Sequence, residues 1–364
     1  MEFLYETVAA VTWQQIVMWI IGATLIFLAI KKDMEPALLL PMGFGAILIN
    51  IPFSGAEGVM SSLFKIGIEM NEIMPLILFI GIGAMIDFGP LLANPKLFLF
   101  GGAAQFGIFL TILLAAACGF GIEDAASIGI IGAADGPTSI VVAQTLNSNY
   151  VGPIMVVAYS YMALVPIIQP AVIKLTTTKK ERLIRMDYKP GAVSKRTKIF
   201  FPILVTVVSG LIAPASLSLV GMLMFGNLIR ECGVLDYLGD TAKNVLANLV
   251  TLFLGITIAF TMKAENFVTV QTLMIMGLGL CAFVFDTFSG IMLAKVINLF
   301  AKQKINPMIG AAGISAFPMS ARIVQKMGIK EDPTNHLLMH AVGANVSGQI
   351  ASAIAGGLII GLVG

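Results

Sequence analysis

Asp135 stands in the run IGAADGPTSI (131–140), inside an apolar stretch long enough to lie in a membrane. An aspartate near the centre of a bilayer costs about 2.5–3.5 kcal/mol on insertion scales, so its presence there asks for a reason. Gly136 and Pro137 follow it, and the pair cannot both continue a regular helix. Pro137 has no N–H, so the break leaves backbone carbonyls without helical donors. A carboxylate beside such carbonyls and the hydroxyls of Thr138 and Ser139 is a nest of hard oxygens, suited to a small hard cation such as sodium. The same aspartate also reads as a cap for the half-helix after the break, and the two roles are compatible.

A second segment of this kind, INPMIGAAGISAFPMSAR (305–322), brings Asn306, Ser315, Ser320 and Arg322 but no carboxylate. It adds neutral oxygens and one cation. Gly310 and Gly313 permit close backbone approach. If the tips of the two segments meet, Asp135, Asn306 and Ser315 are expected to share one site. Arg322 suits an anionic substrate or, equally, an anchor at the cytoplasmic edge. Tyr159 and Tyr161 precede Pro166 in VVAYSYMALVP (156–166), where a phenol can donate a proton or simply pack. Asn345, Ser347 and Gln349 are polar for an apolar run and are candidates to line a cavity. His336 and His340 lie one helical turn apart with no third ligand nearby, so a metal site is not indicated. Asp286, in CAFVFDTFSG, is a second buried carboxylate candidate, with a helix-end role as the alternative.

The chain that must position these residues has 364 residues, 58% hydrophobic and 12% charged, with 22 Lys+Arg against 20 Asp+Glu. An average soluble domain carries roughly 25% charge, which excludes a soluble enzyme. The hydrophobic content excludes a disordered chain, and the small basic surplus excludes a nucleic-acid binder. Cys118, Cys232 and Cys281 are far apart and make no disulfide or zinc pattern. No P-loop, GxGxxG or GxSxG motif is present. The composition predicts an all-α polytopic membrane protein in contact with lipid.

Twelve apolar runs are legible: 13–30, 36–52, 74–92, 97–121, 128–147, 151–173, 199–213, 215–230, 244–262, 267–300, 306–322 and 335–361. The densest basic stretch, 174–198, holds nine Lys/Arg and is placed in the cytoplasm with Lys31 and Lys32. Five runs separate these markers, yet an even number must cross. The run 128–147 therefore re-enters, and the same parity makes 306–322 re-enter from the other side. The resulting expectation is about ten transmembrane helices plus two re-entrant segments, with both termini outside and only Lys65 and Lys263 among the 22 basic residues outside.

An internal repeat supports this. IGAADGPTSIVVAQ from Ile131 and IGAAGISAFPMSARIVQ from Ile309 open alike, Gly43 matches Gly221 at the same offset, and FIGIGAM (79–85) resembles FLGITIAFTM (253–262). The predicted organisation is an N-terminal helix in 1–35, a first repeat in 36–175, a basic cytoplasmic loop in 176–198 and a second repeat of inverted topology in 199–364. These features fit a sodium-coupled secondary transporter of a small carboxylate as well as a pump. A purely structural anchor for a soluble enzyme would leave the polar residues of both broken segments without purpose.

DGPTS around Asp135, AYSYMALVPIIQP (158–170), KINPMIGAAGISAFPMSAR (304–322) and NHLLMHAVGANVSGQI (335–350) resemble the β subunit of sodium-translocating biotin-dependent decarboxylases, which serve oxaloacetate, methylmalonyl-CoA, glutaconyl-CoA and malonate. The similarity runs from KKDMEPALLLPMGFG at Lys31 onward. It implies a membrane subunit that decarboxylates carboxybiotin delivered by a partner, drives Na+ outward and consumes an external proton. By motif, Asp135 resembles the sodium-binding, proton-accepting aspartate. Thr138, Asn306, Gly310, Ser315 and Asn345 join the sodium candidates. Tyr161 matches the functional tyrosine, and the resemblance assigns Arg322 to the carboxybiotin carboxylate. Ser315 and Tyr161 are the contributors expected at a second sodium site or the proton route. No biotinylation motif is present, since Met262-Lys263-Ala264 lacks the flanking methionine pair. The implied partners are a carboxyltransferase and biotin-carrier subunit, a small single-span membrane subunit and further copies of this chain, in the cell membrane. The chain is shorter than the longest oxaloacetate-type members, which leans towards an acyl-CoA-type complex.

Overall fold

The computed structural model describes residues 2–32, 34–70, 72–186 and 193–364, so residues 187–192 of the basic stretch lie outside the described residues. Every regular element among the described residues is helical, as a bilayer without backbone partners demands. The protein is an all-α membrane protein. Six helices are long and apolar enough to cross: Trp13–Lys32, Pro95–Ala117, Val151–Thr176, Asp236–Met262, Val270–Phe300 and Leu338–Val363. Glu57–Glu69 and Ile73–Met85 make a seventh candidate as a pair bent by 64°.

The other expected crossings fall on Pro36–Ile49, Lys195–Ile212 and Leu217–Glu231. Pro36–Ile49 has 14 residues, about 21 Å at 1.5 Å per residue against a hydrocarbon core near 30 Å. Lys195, Arg196 and Lys198 charge the first turn of the second of these helices. Length and hydropathy thus single out six or seven crossings among the described residues, and the expected count of ten is not confirmed.

The first broken segment is a hairpin. It runs inward as Ile122–Gly129 and a 3-10 turn Ile130–Ala133, breaks at Ala134 and Asp135, and returns as Gly136–Thr145. Ala134 sits in the left-handed region (φ 53°), which costs a residue with a Cβ about 1–2 kcal/mol. Its two ends come back together: the Asp124 carboxylate accepts hydrogen bonds from Ser148 Oγ (2.7 Å), the Asn149 amide (2.8 Å) and Asn149 Nδ2 (3.0 Å). A chain that crossed a bilayer between residues 124 and 148 could not make these bonds.

The second broken segment folds back likewise. It comprises Met308–Ala311, a turn through 312–318, and Met319–Glu331, a longer return arm than the expected 306–322. Both of its ends grip the strip after Val151–Thr176. Asn306 Nδ2 donates to the Arg182 and Ile184 carbonyls at 2.9 Å each, and Asn335 Nδ2 reaches the same two carbonyls at 3.2 Å. Arg182 pairs with Glu331 (2.7 Å) and Arg185 with Asp332 (2.6 Å). Neighbouring Glu181 is raised by partial burial, but the Thr178 amide and the Lys295 ammonium outweigh this and hold its carboxyl below the usual range.

Candidate functional site where the broken segments meet

The two tips touch. The Ser315 amide donates to the Ala133 carbonyl at 3.0 Å, one residue before the left-handed turn that presents Asp135. Helix Leu338–Val363 packs on both hairpins and on Phe98–Ala104. Small residues allow this closeness. A methyl on Gly348 would lie 2.1 Å from the Gly313 carbonyl oxygen, and one on Gly313 would lie 2.3 Å from that of Phe100.

Asp135 caps Gly136–Thr145 and is 3% exposed. Its carboxylate accepts hydrogen bonds from Thr138 Oγ1 (2.6 Å), Ser352 Oγ (2.9 Å), Gln349 Nε2 (3.2 Å) and, at the limit of 3.5 Å, the Thr138 amide. Ser139 Oγ donates to the Asp135 carbonyl at 2.9 Å. Each of these partners is neutral, and no Lys or Arg is among them. A buried carboxylate surrounded only by neutral oxygens and amides is short of one positive charge, which a cation or a proton can supply. The carboxylate and hydroxyl oxygens gathered here are the hard ligands that suit sodium.

Tyr159 lies against this site. Its ring covers Gly136 so closely that a methyl there would be 2.3 Å from Cζ, and its buried hydroxyl has no hydrogen-bond partner among the described residues. Tyr161 faces elsewhere: its hydroxyl donates to the Met276 carbonyl and its ring lies by Gly279. The structure therefore brings Tyr159, not Tyr161, to Asp135.

No hydrogen bond joins the side chains of Asp135, Asn306 and Ser315 among the described residues. Ser315 joins the tips through its backbone, while its hydroxyl donates to the Gly348 carbonyl at 3.0 Å. Asn306 is engaged with Arg182, Ile184 and the Met308 amide at the hairpin's base, because those backbone groups need partners there. Gly310 meets Gly290 backbone to backbone, a packing contact. Asn345 Nδ2 donates to the Ile314 carbonyl at 2.6 Å, beside the tip, and its Oδ1 is buried without a hydrogen-bond partner among the described residues. Arg322 is exposed on the return arm, and its guanidinium has no ion pair among the described residues. Ser352 is the residue that sequence reasoning missed. Asn345, Gln349 and Ser352 recur at i, i+4 and i+7, one face of a helix, and that period was the available signal.

Asp286 proves to be a packing partner of the first hairpin. It is fully buried, and its two oxygens press on Gly107 and Gly132, facing the Gly107 and Ile108 amides without completing an aligned hydrogen bond. Ser289, one turn on, donates to the Ala103 carbonyl at 2.7 Å. Together they serve the kink between Phe98–Ala104 and Phe106–Ala117.

Residues 14–363 match the family model of the Na+-transporting oxaloacetate decarboxylase beta subunit. The chain belongs to this family. It is 50% identical to the methylmalonyl-CoA decarboxylase subunit beta of Propionigenium modestum, over 96% of this chain and 95% of that protein. It is 49% identical to the glutaconyl-CoA decarboxylase subunit beta of Acidaminococcus fermentans, over 98% and 95%. The oxaloacetate decarboxylase beta chain of Haemophilus ducreyi is 43% identical, over 96% and 95%. This β subunit is thus a subunit of a sodium-transporting decarboxylase, a multi-pass membrane protein that works with partner subunits. The Asp135 site lies well inside the matched region, and so do both hairpins.

Proposed function

We propose that this β subunit decarboxylates carboxybiotin presented by a partner and couples that reaction to outward movement of Na+ across the cell membrane, with uptake of an external proton. The observation that carries the reading is the Asp135 carboxylate at the joint of two hairpins, buried and compensated by neutral groups alone. Sodium and a proton compete for such a group. A proton on Asp135 removes the charge that retains the ion and so releases it. Moving one sodium against 100 mV costs about 2.3 kcal/mol, so the site must communicate with one side at a time. Two hairpins entering from opposite sides, in two repeats of inverted topology (36–175 and 199–364), fit that requirement.

Arg322 fits the anionic end of the reaction. Its free guanidinium stands on the return arm that starts at the tip joint, where it can hold the carboxylate that a partner's biotin presents. Thr138 and Ser352 supply hydroxyl oxygens at Asp135 and Gln349 holds it through its amide N–H, with Ser315 and Asn345 at the adjoining tip. Biotin itself is carried elsewhere in the complex. The partners are a carboxyltransferase and biotin-carrier subunit, a small single-span subunit and other copies of this chain. An acyl-CoA-type complex is favoured: alignment with the glutaconyl-CoA relative extends over 358 positions, whereas the oxaloacetate relative requires 415.

The deciding experiment is sodium uptake into inverted vesicles holding the reconstituted complex, with and without avidin. Substrate should drive uptake, and avidin should abolish it. Sodium movement that survives avidin, or proceeds without decarboxylation, would instead make the protein a sodium-coupled carrier of a small carboxylate. At the site itself, Ser352→Ala removes one hydroxyl from Asp135. A hydrogen bond to a charged group contributes about 1.5–3 kcal/mol, so the half-saturating sodium concentration should rise roughly tenfold or more with little change in assembly. An unchanged sodium dependence would remove Ser352 from the site.

A further inference from the structure

A cavity of about 470 Å³ opens at the base of the first hairpin, between the start of helix Val151–Thr176 and the loop that joins Asp236–Met262 to Val270–Phe300. In a chain this apolar, its lining is unusually polar: Asn149, Thr261, Glu265, Asn266, Thr269 and Gln271. Asn149 is one of the residues that closes the hairpin's base on Asp124. The cavity also holds one cationic side chain, Lys263, which is paired with Glu57. Glu265 is exposed and has no ion pair or side-chain hydrogen bond among the described residues. The mouth therefore presents one uncompensated carboxylate and a ring of neutral oxygens, and a cleft of one sign concentrates ions of the other.

One helix face connects this cavity to Asp135. Gly152 lines the cavity and Tyr159 covers Gly136. Seven residues separate them, two turns along one face and about 10 Å. Between them Met155 (0% exposed) and Val156 (4%) pack into an apolar cluster with Ile140 and Met262 (both 0%). No polar side chain of Val151–Thr176 lies on that face between cavity and site. The arrangement is a wet mouth, a dry plug and a buried carboxylate in sequence.

We propose that this cavity is the vestibule through which cations pass between the Asp135 site and the medium on the side where the first hairpin begins and ends, with Glu265 as its collecting charge and Met155 and Val156 as the closed plug. The proposal rests on the sodium-pump reading above and adds to it the location and the charge of one mouth.

The test uses the complete complex in proteoliposomes, with Cys118, Cys232 and Cys281 replaced by Ser and Gln271→Cys or Asn266→Cys introduced singly. The cationic reagent trimethylammonioethyl methanethiosulfonate and the anionic sulfonatoethyl reagent are applied to each face in turn. The cationic reagent should react from one face only, at least fivefold faster than the anionic one, and should cut sodium pumping by more than half. Adding Glu265→Gln should bring the two rates within twofold. Equal rates before that change, labelling from the same face as the carboxyltransferase, failure to label either cysteine, or labelling that leaves pumping intact would each overturn the vestibule. An unaltered complex, run alongside, that moves no sodium while it decarboxylates substrate would instead sink the pump reading, so the two failures are separable.

Discussion

Asp135→Asn should lower both sodium uptake and substrate decarboxylation by about a hundredfold to a thousandfold while leaving the complex assembled. Asparagine is nearly isosteric, and its Oδ1 can still accept from Thr138 Oγ1 and cap Gly136–Thr145. What it lacks is charge. Removing one partner from a buried ion pair costs about 3–5 kcal/mol, and each 1.4 kcal/mol is tenfold in an equilibrium. Here the partner lost is the protein's half of a carboxylate–cation pair. None of the remaining groups around the site carries a charge that could replace it. Decarboxylation must fall along with transport if the reaction proceeds only through a cation-loaded state. Sodium uptake, decarboxylation and subunit recovery after purification are the three measurements. Full sodium-dependent activity in the variant would remove Asp135 from the transport site. Decarboxylation that continues without sodium uptake would show that Asp135 binds the ion but does not gate the chemistry.

Much of this site is legible in the sequence, for identifiable reasons. Gly136 and Pro137 break any helix wherever they occur in succession, so the turn at Asp135 needs no tertiary information. The family match was likewise foreshadowed by long motifs, and it covers residues 14–363. The partners of Asp135 are another matter. Gln349 and Ser352 come from more than 200 residues away, and only their helical period hints that they share a face with Asn345. Tyr159 and Tyr161 are two residues apart, hence about 200° apart around a helix, and no local signal tells which of the two faces meets Gly136. The placing of Asn306 is hidden for a different reason. A buried amide within a functional motif invites a role at the site, whereas two backbone carbonyls in the strip after residue 181 claim it. Those carbonyls carry no signature in sequence. The count of crossings is limited by the same blindness: an apolar run of 14 residues reads as membrane-buried, but length separates a full crossing from a partial one.

The joint between hairpin tips should be as sensitive as the carboxylate itself. Gly348→Ala is expected to reduce sodium pumping about a hundredfold, with Gly361→Ala on the same helix as a control that leaves it unchanged. A Cβ at Gly348 would sit 2.1 Å from the Gly313 carbonyl oxygen, 2.8 Å from its carbon and 3.0 Å from the Ile314 carbonyl carbon. All three are backbone atoms, so no side chain can swing away to make room. Ordinary contact begins beyond about 3.4 Å, and close-packed interiors transmit such a displacement instead of absorbing it. The tip would have to move by about 1 Å, and Ser315 would leave the Ala133 carbonyl beside Asp135. A misplacement of that size in a preorganised site costs about 10²-fold. At Gly361 nothing lies within 4 Å, so alanine there meets open space and slightly favours the helix. The pair therefore separates loss of the tip contact from any general effect of removing glycine from helix Leu338–Val363. Equal activity of the two variants would mean that the tips can part without consequence, and that the ion is held by Asp135 and its hydroxyl partners alone.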